Sequence, residues 1–425
     1  MSWVAVTTDF GANTAHVVNV PANTIRYGPL ATSAGPYAIC IDPTASYAYV
    51  GCYYADCIDR IDLSTGAIVN GWATLPGGYS TEGIACSPDG SHIAVGYYTS
   101  SSQVAVVPTS TGIPAYVGLT TGQLERVAWE SDTVFYAACS ATTEIYKYTL
   151  SGSTWIVTTL AACSADVYSI AIRPDQSELA ACLQTSAEAQ TIVLPGGSVN
   201  AAVSLAADPF GVAITPDGTT AWFSGVTNGS IQSLSFSTGL PGSFVPVGGG
   251  SDFMTWIAVT PDGQSLYVAD YSTGHVYPVT GITSSPSVGT PLAVGSTGVA
   301  ISPDQAPTAA WSDTVTGLSV AFTDLSTTPV GTIAAWAWDF GDSNTSTAQN
   351  PTHVYAAGGT YTVTLTVTNS AGTSTTQTFT GQTVSNNGGS SATAPGSVTV
   401  SASGPTLGSW SKASQSNWSG QGPVV

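Results

Sequence analysis

Charged residues are scarce in this chain, and cations are the scarcest. Only 6 of the 425 residues are Lys or Arg, against 25 Asp or Glu, which gives a formal net charge of −19. A surface that binds nucleic-acid phosphates or anionic lipid head groups needs Lys and Arg. The composition therefore excludes a nucleic-acid-binding protein and argues against attachment to an anionic membrane surface.

The sequence also lacks long apolar runs and the spacing of a metal site. It has no run of about 18 apolar residues and no basic segment near Met1, so we expect neither a membrane span nor a secretory signal. The 4 His residues are scattered, which argues against a zinc site. The 7 cysteines form no CxxC pair, and most lie in apolar runs, so we predict buried thiols rather than a disulfide framework.

One phrase recurs along the first 300 residues: an apolar strand, a turn of the type Pro-Asp-Gly, and a second apolar strand. Pro presets φ in such a turn, Asp accepts hydrogen bonds from the backbone, and Gly adopts the left-handed conformation. The repeat length is about 43 residues, which is typical of a four-stranded propeller blade. The turns centre on Pro43, Pro88, Ser131, Pro174, Pro216, Pro261 and Pro303.

The last copy of the phrase stops after one strand, at residues 298–302, and the N-terminus supplies three strands without a partner. We therefore predict an all-β protein whose residues 1–305 form a seven-bladed β-propeller, with three N-terminal strands and one C-terminal strand in the closing blade. The segments SPDG and LYVADYSTG resemble the YVTN-type propeller repeat. This resemblance implies the fold and leaves the function open.

Residues 306–385 have a different pattern, with Thr-rich alternation that predicts a β-sandwich. The segments WDFGDS, HVY and GTYTVTLTV resemble a PKD domain, which is an Ig-like sandwich. The resemblance implies a spacer or adhesive module on exposed surfaces, with Ser343 at a turn position where the family usually has Gly. Its motif residues, expected to be structural, are Trp336, Trp338, Asp339, Gly341, Asp342, His353 and Tyr355. We expect Trp338 in the core and the two aspartates in the turn; glycan binding by Trp336 or Trp338 is the alternative.

Residues 386–425 are predicted to form a Gly/Ser-rich linker and a C-terminal docking tail, in which GSVTVSAS is one candidate strand. Trp410 and Trp418 are the candidate docking aromatics. We expect the tail to bind a neighbouring subunit; packing against its own domains is the alternative.

Aligning the repeats places several polar side chains near one rim of the predicted propeller. The position six residues before each turn carries Tyr37, Glu82, Glu125, Tyr168, Phe210, Thr255 and Thr297. With Asp166 and Asp208 two residues earlier in their repeats, and Arg126 beside Glu125, these carboxylates form a weak candidate cluster. It would hold a Ca²⁺-like cation or act as an acid/base pair, whereas the simpler interpretation is solvated rim charges. We predict no catalytic residue, no cofactor and no supported metal.

Three functions remain open. The first is a non-enzymatic structural or interaction protein of an exposed surface, preferentially a phage or virus virion component. Its propeller would face a host glycan or protein, and its tail would dock to other virion proteins. The second is a prokaryotic surface-layer or cell-surface adhesin, and the third a lactonase-like propeller enzyme. A homo-oligomer through an exposed sheet edge is compatible with each.

Overall fold

The computed structural model describes residues 3–75, 80–98, 103–118, 123–295, 297–303, 307, 309–327, 333–369, 376–379, 382–385 and 391–400. The chain divides into two compact units. The larger unit lies within residues 2–305 and 374–389, and the smaller lies within residues 306–373 and 390–425. No described helix is long and apolar enough to span a membrane. All seven cysteines are buried free thiols.

The described secondary structure is strand apart from one short 3₁₀ turn, Gln184–Ser186. In chain order the strands that precede residue 305 are β1 (Trp3–Asp9), β2 (Thr14–Val20), β3 (Thr24–Ala31), β4 (Pro36–Ile41), β5 (Tyr47–Cys52), β6 (Cys57–Asp62), β7 (Ile68–Thr74), β8 (Ser80–Cys86), β9 (His92–Tyr98), β10 (Gln103–Pro108), β11 (Ala115–Gly118), β12 (Leu124–Ser131), β13 (Val134–Cys139), β14 (Glu144–Ser151), β15 (Thr154–Ala162), β16 (Ser169–Ile172), β17 (Glu178–Leu183), β18 (Glu188–Val193), β19 (Ser198–Val199), β20 (Val203–Ser204), β21 (Pro209–Ile214), β22 (Thr220–Gly225), β23 (Ser230–Ser235), β24 (Pro241–Pro246), β25 (Met254–Val259), β26 (Ser265–Asp270), β27 (His275–Thr280), β28 (Ser287–Val288) and β29 (Gly298–Ile301). They are followed by β30 (Trp311–Thr316), β31 (Ser319–Asp324), β32 (Ile333–Asp339), β33 (Thr345–Ser346), β34 (Thr352–Val354), β35 (Gly359–Asn369), β36 (Thr376–Phe379), β37 (Gln382–Ser385) and β38 (Ser391–Val400).

Within the described residues, strands β1 to β29 form seven antiparallel sheets. The first has the order β29-β1-β2-β3, and the next six follow the chain: β4 to β7, β8 to β11, β12 to β15, β16 to β19 with β20 beside β18, β21 to β24, and β25 to β28. Strand β29 pairs with β1 in the register Ala5↔Ile301 to Thr8↔Gly298. The repeated four-stranded sheets are consistent with a propeller.

The Pro-Asp-Gly turns join the first two strands of a sheet as the sequence predicts. Asp89 accepts hydrogen bonds from the Ser87 hydroxyl at 2.6 Å and from the Ser91 amide at 2.9 Å. Gly90 has φ +72°, a left-handed conformation that Gly adopts without steric cost. The local sequence thus sets each hairpin, and the hairpins bring equivalent residues to the same edge of successive sheets.

The first strand of each sheet contacts the first strand of the next, so that β4, β8, β12, β16, β21, β25 and β29 are successive neighbours. Glycine permits the closest approaches. A Cβ on Gly83 would collide with the main-chain oxygen of Glu125, and one on Gly211 would lie 2.5 Å from that of Thr255. Farther out, large side chains fill the space between sheets: Trp129, Phe135 and Tyr148 are buried, and the last two rings stack at 4.6 Å.

Among its described residues, the smaller unit contains two sheets, with the orders β30-β31-β34 and β33-β32-β35-β38. Its core is an apolar cluster of Val320, Phe322, Trp338, Phe340, Tyr355, Val363, Leu365 and Val367. Strand β38 lies in the stretch that the sequence analysis assigns to the linker and tail. It pairs with β35 from Gly359↔Val400 to Thr368↔Ser391, because β35 offers an edge along which an extended segment can pair.

Candidate functional site

An open cavity of about 360 Å³ lies at one edge of the sheets in the larger unit. We call it the aromatic basin. It is lined by Phe10, Tyr37, Tyr53, Tyr54, Glu82, Phe210, Phe253, Thr255 and Tyr271. Seven of these nine side chains carry an aromatic ring, which is the composition of a site that binds the apolar faces of a ligand.

Antiparallel pairing explains why these residues meet. The start of the first strand in a sheet and the end of its second strand lie at the same edge. Tyr37, Glu82 and Phe210 come from the starts of β4, β8 and β21, whereas Tyr53 and Tyr271 follow the ends of β5 and β26. The basin therefore combines two positions of the repeat that are about 15 residues apart in sequence.

The rings pack edge to face or at a tilt and leave part of their surface accessible. Phe10 lies 5.2 Å from Tyr54 and 6.0 Å from Tyr37, measured between ring centroids. On the other side, Phe253 lies 5.6 Å from Phe210 and 6.1 Å from Tyr271. Tyr54 is 67% exposed and Tyr271 49% exposed, so both rings are available to a ligand. The walls are preformed, because each ring is held by a neighbouring ring.

Glu82 is the one carboxyl group among the described residues that line the basin, and it is buried. Burial and the nearby charge of Glu125 raise its pKa to about 8, although Arg126 opposes the rise. Burial also raises the pKa of Glu125, against a hydrogen bond donated by the Ser140 hydroxyl. A pKa of about 8 favours the protonated form of Glu82 at neutral pH, and a protonated carboxyl can donate a hydrogen bond to a ligand.

Arg126 is buried and contacts Phe210 of the basin. Its guanidinium carbon is 3.6 Å from the ring centroid of Trp256 and 5.4 Å from that of Phe210. Its Nη1 donates a hydrogen bond to the main-chain oxygen of Glu82. Burial lowers its pKa, and the charges of Tyr37, Glu82 and Glu125 act in the opposite direction. The side chain, which begins on β12, thus bridges the third sheet and the seventh.

The structure brings together only part of the rim cluster predicted from the sequence. Glu82, Glu125 and Arg126 interact electrostatically and are buried, so they are not the solvated rim charges of the simpler interpretation. Their burial has a physical cause, since adjacent first strands approach closely at Gly83. Asp166 and Asp208 are half-buried and do not line the basin.

The sequence indicated only some of the other residues that line the basin. Tyr37, Phe210 and Thr255 belong to the aligned repeat position that holds Glu82. Phe10 and Tyr271 lie in the matching segments DFGANT and DYSTG, which an alignment of the second strands could have identified. Thr255 is structural as well, since its hydroxyl donates to the main-chain oxygen of Thr297 at 3.0 Å.

A second chemically distinctive group is formed by Cys52, Cys57 and Asp59, whose ligand atoms lie within 4.8 Å of one another. Both thiols point to the carboxylate, with Sγ–O distances of 3.5 and 3.7 Å. Asp59 also accepts hydrogen bonds from the amides of Ser33 and Gly71, at 2.6 and 2.7 Å. These contacts form one hydrogen-bond network, and two thiols with a carboxylate are also a possible ligand set for a metal ion that accepts both sulfur and oxygen.

In the smaller unit, the predicted motif residues fix one turn against the core. The Trp338 indole donates to the main-chain oxygen of Ala348 at 3.0 Å, and the Asp339 carboxylate accepts from the Gly341 amide at 2.8 Å. His353 Nε2 lies 2.8 Å from the Asp342 carboxylate. Burial acts to raise the pKa of that carboxyl, but the hydrogen bonds from His353 and Asn344 together outweigh it, so the pKa lies below its usual value.

The remaining motif residues complete this arrangement. Trp336 is half-buried and donates its indole hydrogen to Asp324 at 2.7 Å, and the Tyr355 hydroxyl donates to the Phe340 oxygen at 3.0 Å. Trp410 and Trp418, the candidate docking aromatics, lie outside the described residues.

Residues 304–399 match the family model of the PKD domain. The smaller unit is a PKD domain. A PKD domain indicates an extracellular or surface module. The microbial collagenase of Vibrio alginolyticus is 48% identical to this chain over 65 residues, which are 15% of this chain and 8% of the collagenase. Since the chain spans less than a tenth of that relative and matches it only in the PKD region, the likeness concerns this module alone.

Solved structures resemble the larger part of the chain at low identity. A functionally unknown protein from Desulfotomaculum acetoxidans superposes with a TM-score of 0.58 and 10% identity, covering 71% of this chain and 99% of that protein. Hydrazine synthase from Kuenenia stuttgartiensis superposes with a TM-score of 0.50 and 18% identity, covering 58% of this chain and 76% of that chain. These neighbours include propeller-like proteins, and at such identity they support the fold alone.

Proposed function

We propose that this chain is a non-enzymatic interaction protein of an exposed surface, which binds a neutral, hydroxyl-rich ligand such as a glycan in its aromatic basin. The observation that carries the proposal is the basin itself: seven aromatic rings around one buried carboxyl group, that of Glu82, whose pKa is raised by burial. Aromatic faces pack against the C–H surfaces of a sugar, and a neutral carboxyl both donates and accepts hydrogen bonds from hydroxyl groups.

The proposal includes a closed seven-bladed propeller. The pairing of β1 with β29 supports closure, as does the contact of β29 with both β25 and β4. Arg126 also supports closure. It belongs to the fourth sheet and contacts Trp256, which belongs to the seventh. In a ring, these sheets face each other across the centre, where one long side chain can span the gap.

A lactonase-like or other hydrolytic enzyme is the second candidate, and the raised pKa of Glu82 favours it. A carboxyl with a pKa near neutrality is suited to general acid or base catalysis. A second group at the reacting centre is required, however, and Glu125 does not line the basin among its described residues. Glu125 instead accepts a hydrogen bond from Ser140. We therefore assign Glu82 a binding role.

We further propose that the exposed surface is that of a phage or virus particle, with the propeller facing outward and the C-terminal residues binding other particle proteins. A cell-surface or surface-layer adhesin is the alternative. The PKD domain supports an exposed location in both cases. The low content of Lys and Arg supports it as well, since it leaves few sites for trypsin-like proteases.

Ligand binding is tested by titration calorimetry with a panel of neutral and anionic oligosaccharides. We expect binding of a neutral member, and a five- to tenfold weaker affinity after Tyr54→Ala or Tyr271→Ala, about 1 to 1.4 kcal/mol. Tyr116→Ala is the matched control, because Tyr116 is 44% exposed on β11 and does not line the basin. Turnover of a sugar or lactone that Glu82→Gln abolishes would replace the binding proposal by the enzymatic one.

Location is tested by separating the native source on a density gradient and probing the fractions for this chain. Migration with intact particles supports the particle protein, and truncation after residue 400 should then release it from them. Recovery in the cell envelope would favour the adhesin, and recovery as free protein would contradict both surface locations.

A further inference from the structure

Two cysteines from different sheets lie in contact. Cys40 lies on β4 in the second sheet, and Cys86 lies on β8 in the third. Their Sγ atoms are 3.0 Å apart, and both side chains are fully buried. A disulfide bond has an S–S length of about 2.05 Å, so a shift of about 1 Å brings the two sulfurs to bonding distance.

We propose that Cys40 and Cys86 form a disulfide that links the second sheet to the third. The thiolate of one cysteine attacks a disulfide acceptor of the glutathione class, which forms a mixed disulfide and releases one acceptor thiolate. The second cysteine then attacks the mixed disulfide and displaces the other acceptor thiolate. Two protons and two electrons leave the pair, and the acceptor is reduced to two thiols. An oxidising location outside the cell rests on the proposed function.

The other close pair differs in its chemistry. Cys52 and Cys57 are register partners across the β5–β6 hairpin, and both donate to the carboxylate of Asp59. Oxidation of that pair would remove two hydrogen bonds from a buried carboxylate. The Cys40–Cys86 contact is between two thiols. Its oxidation removes only the contact that the new bond replaces.

Burial determines when the bond forms. Burial raises the pKa of the Cys86 thiol well above its usual value, and the contact with Cys40 adds to the rise. The thiolate is the attacking species, so the folded, reduced protein should react slowly. We therefore expect the bond to form while the sheets assemble. Once formed, it should resist reduction until the protein unfolds.

The positions of the arginines allow trypsin to place Cys40 and Cys86 in different peptides. Arg60 and Arg126 bound residues 61–126, in which Cys86 is the only cysteine, and Cys40 lies in residues 27–60. The full chain is refolded in a buffer of oxidised and reduced glutathione, alkylated, and digested with trypsin without reduction. We expect peptide 27–60 joined to peptide 61–126, and fragmentation that places the bond at Cys40.

Variants separate this bond from chance cross-linking. Cys40→Ser should abolish the joined peptide, whereas Cys52→Ser and Cys182→Ser should leave it intact. Alkylation of both Cys40 and Cys86 after oxidative refolding of the wild-type protein would overturn the proposal. So would a joined peptide that persists in Cys40→Ser. Because the assay uses purified protein and no ligand, its outcome is independent of glycan binding and of location.

Discussion

Replacing Glu82 by Gln should stabilise the larger unit at pH 8 far more than at pH 5. In the folded protein Glu82 has a pKa of about 8, against a usual value of 4.5. Between pH 4.5 and about pH 8, Glu82 therefore keeps a proton in the folded state that it has lost in the unfolded state. The free energy of unfolding falls as pH rises through this window, because the unfolded state binds fewer protons.

The magnitude follows from the two pKa values. A rise from 4.5 to about 8 corresponds to a penalty of about 5 kcal/mol once the group is fully ionised, at about 1.4 kcal/mol per pH unit. Most of this penalty develops between pH 5 and pH 8. The free energy of unfolding of Glu82→Gln, relative to that of the wild type, should therefore increase by about 3 kcal/mol over that range. Gln has similar size and carries no proton to lose.

The assay is urea unfolding at several pH values, followed by the fluorescence of the buried tryptophans. Glu188→Gln is the control, since Glu188 is half-buried on β18 away from the basin. The difference in the free energy of unfolding between Glu188→Gln and the wild type should not change with pH in the same way. A stability difference for Glu82→Gln that stays constant within about 0.5 kcal/mol from pH 5 to pH 8 would refute the reasoning. It would mean that Glu82 is ionised in the folded protein at neutral pH, and the basin would then favour a cationic ligand.

Three further substitutions test the packing. Gly83→Ala should lower the free energy of unfolding by at least about 2 kcal/mol in urea titrations, because the new Cβ would collide with the adjoining strand. The control is Gly196→Ala, which should change this free energy little, since a Cβ at Gly196 would have open space around it. Ser343→Gly should raise the stability of the PKD domain by about 1 kcal/mol, since Ser343 has φ +73°; an unchanged melting temperature would contradict a strained turn. Tyr355→Phe should cost about 1 kcal/mol by calorimetry, through loss of the hydrogen bond to the Phe340 oxygen, and a cost near zero would show that the bond contributes nothing.

The fold was largely predictable because its signals are local. A Pro-Asp-Gly turn specifies a hairpin from four residues, and the left-handed φ of Gly90 is what that turn requires. Ser343 is another such case: the resemblance to PKD domains implies a glycine there, and the chain adopts the left-handed conformation in spite of the side chain. The strand Ser391–Val400 was less visible, since its Gly, Ser and Pro residues suggest a linker and its pairing depends on β35.

The sequence by itself determined the repeat, the all-β class and the residue types available at one rim, because hairpins and alternation depend on neighbours in the chain. Only the tertiary structure decided which of those residues form a site. Glu82 and Asp208 belong to the same candidate cluster in the sequence, yet only Glu82 lines the basin. The raised pKa of Glu82 arises from burial and from Glu125 on the next sheet. Desolvation and charge interactions depend on distances in space, and no local pattern records them.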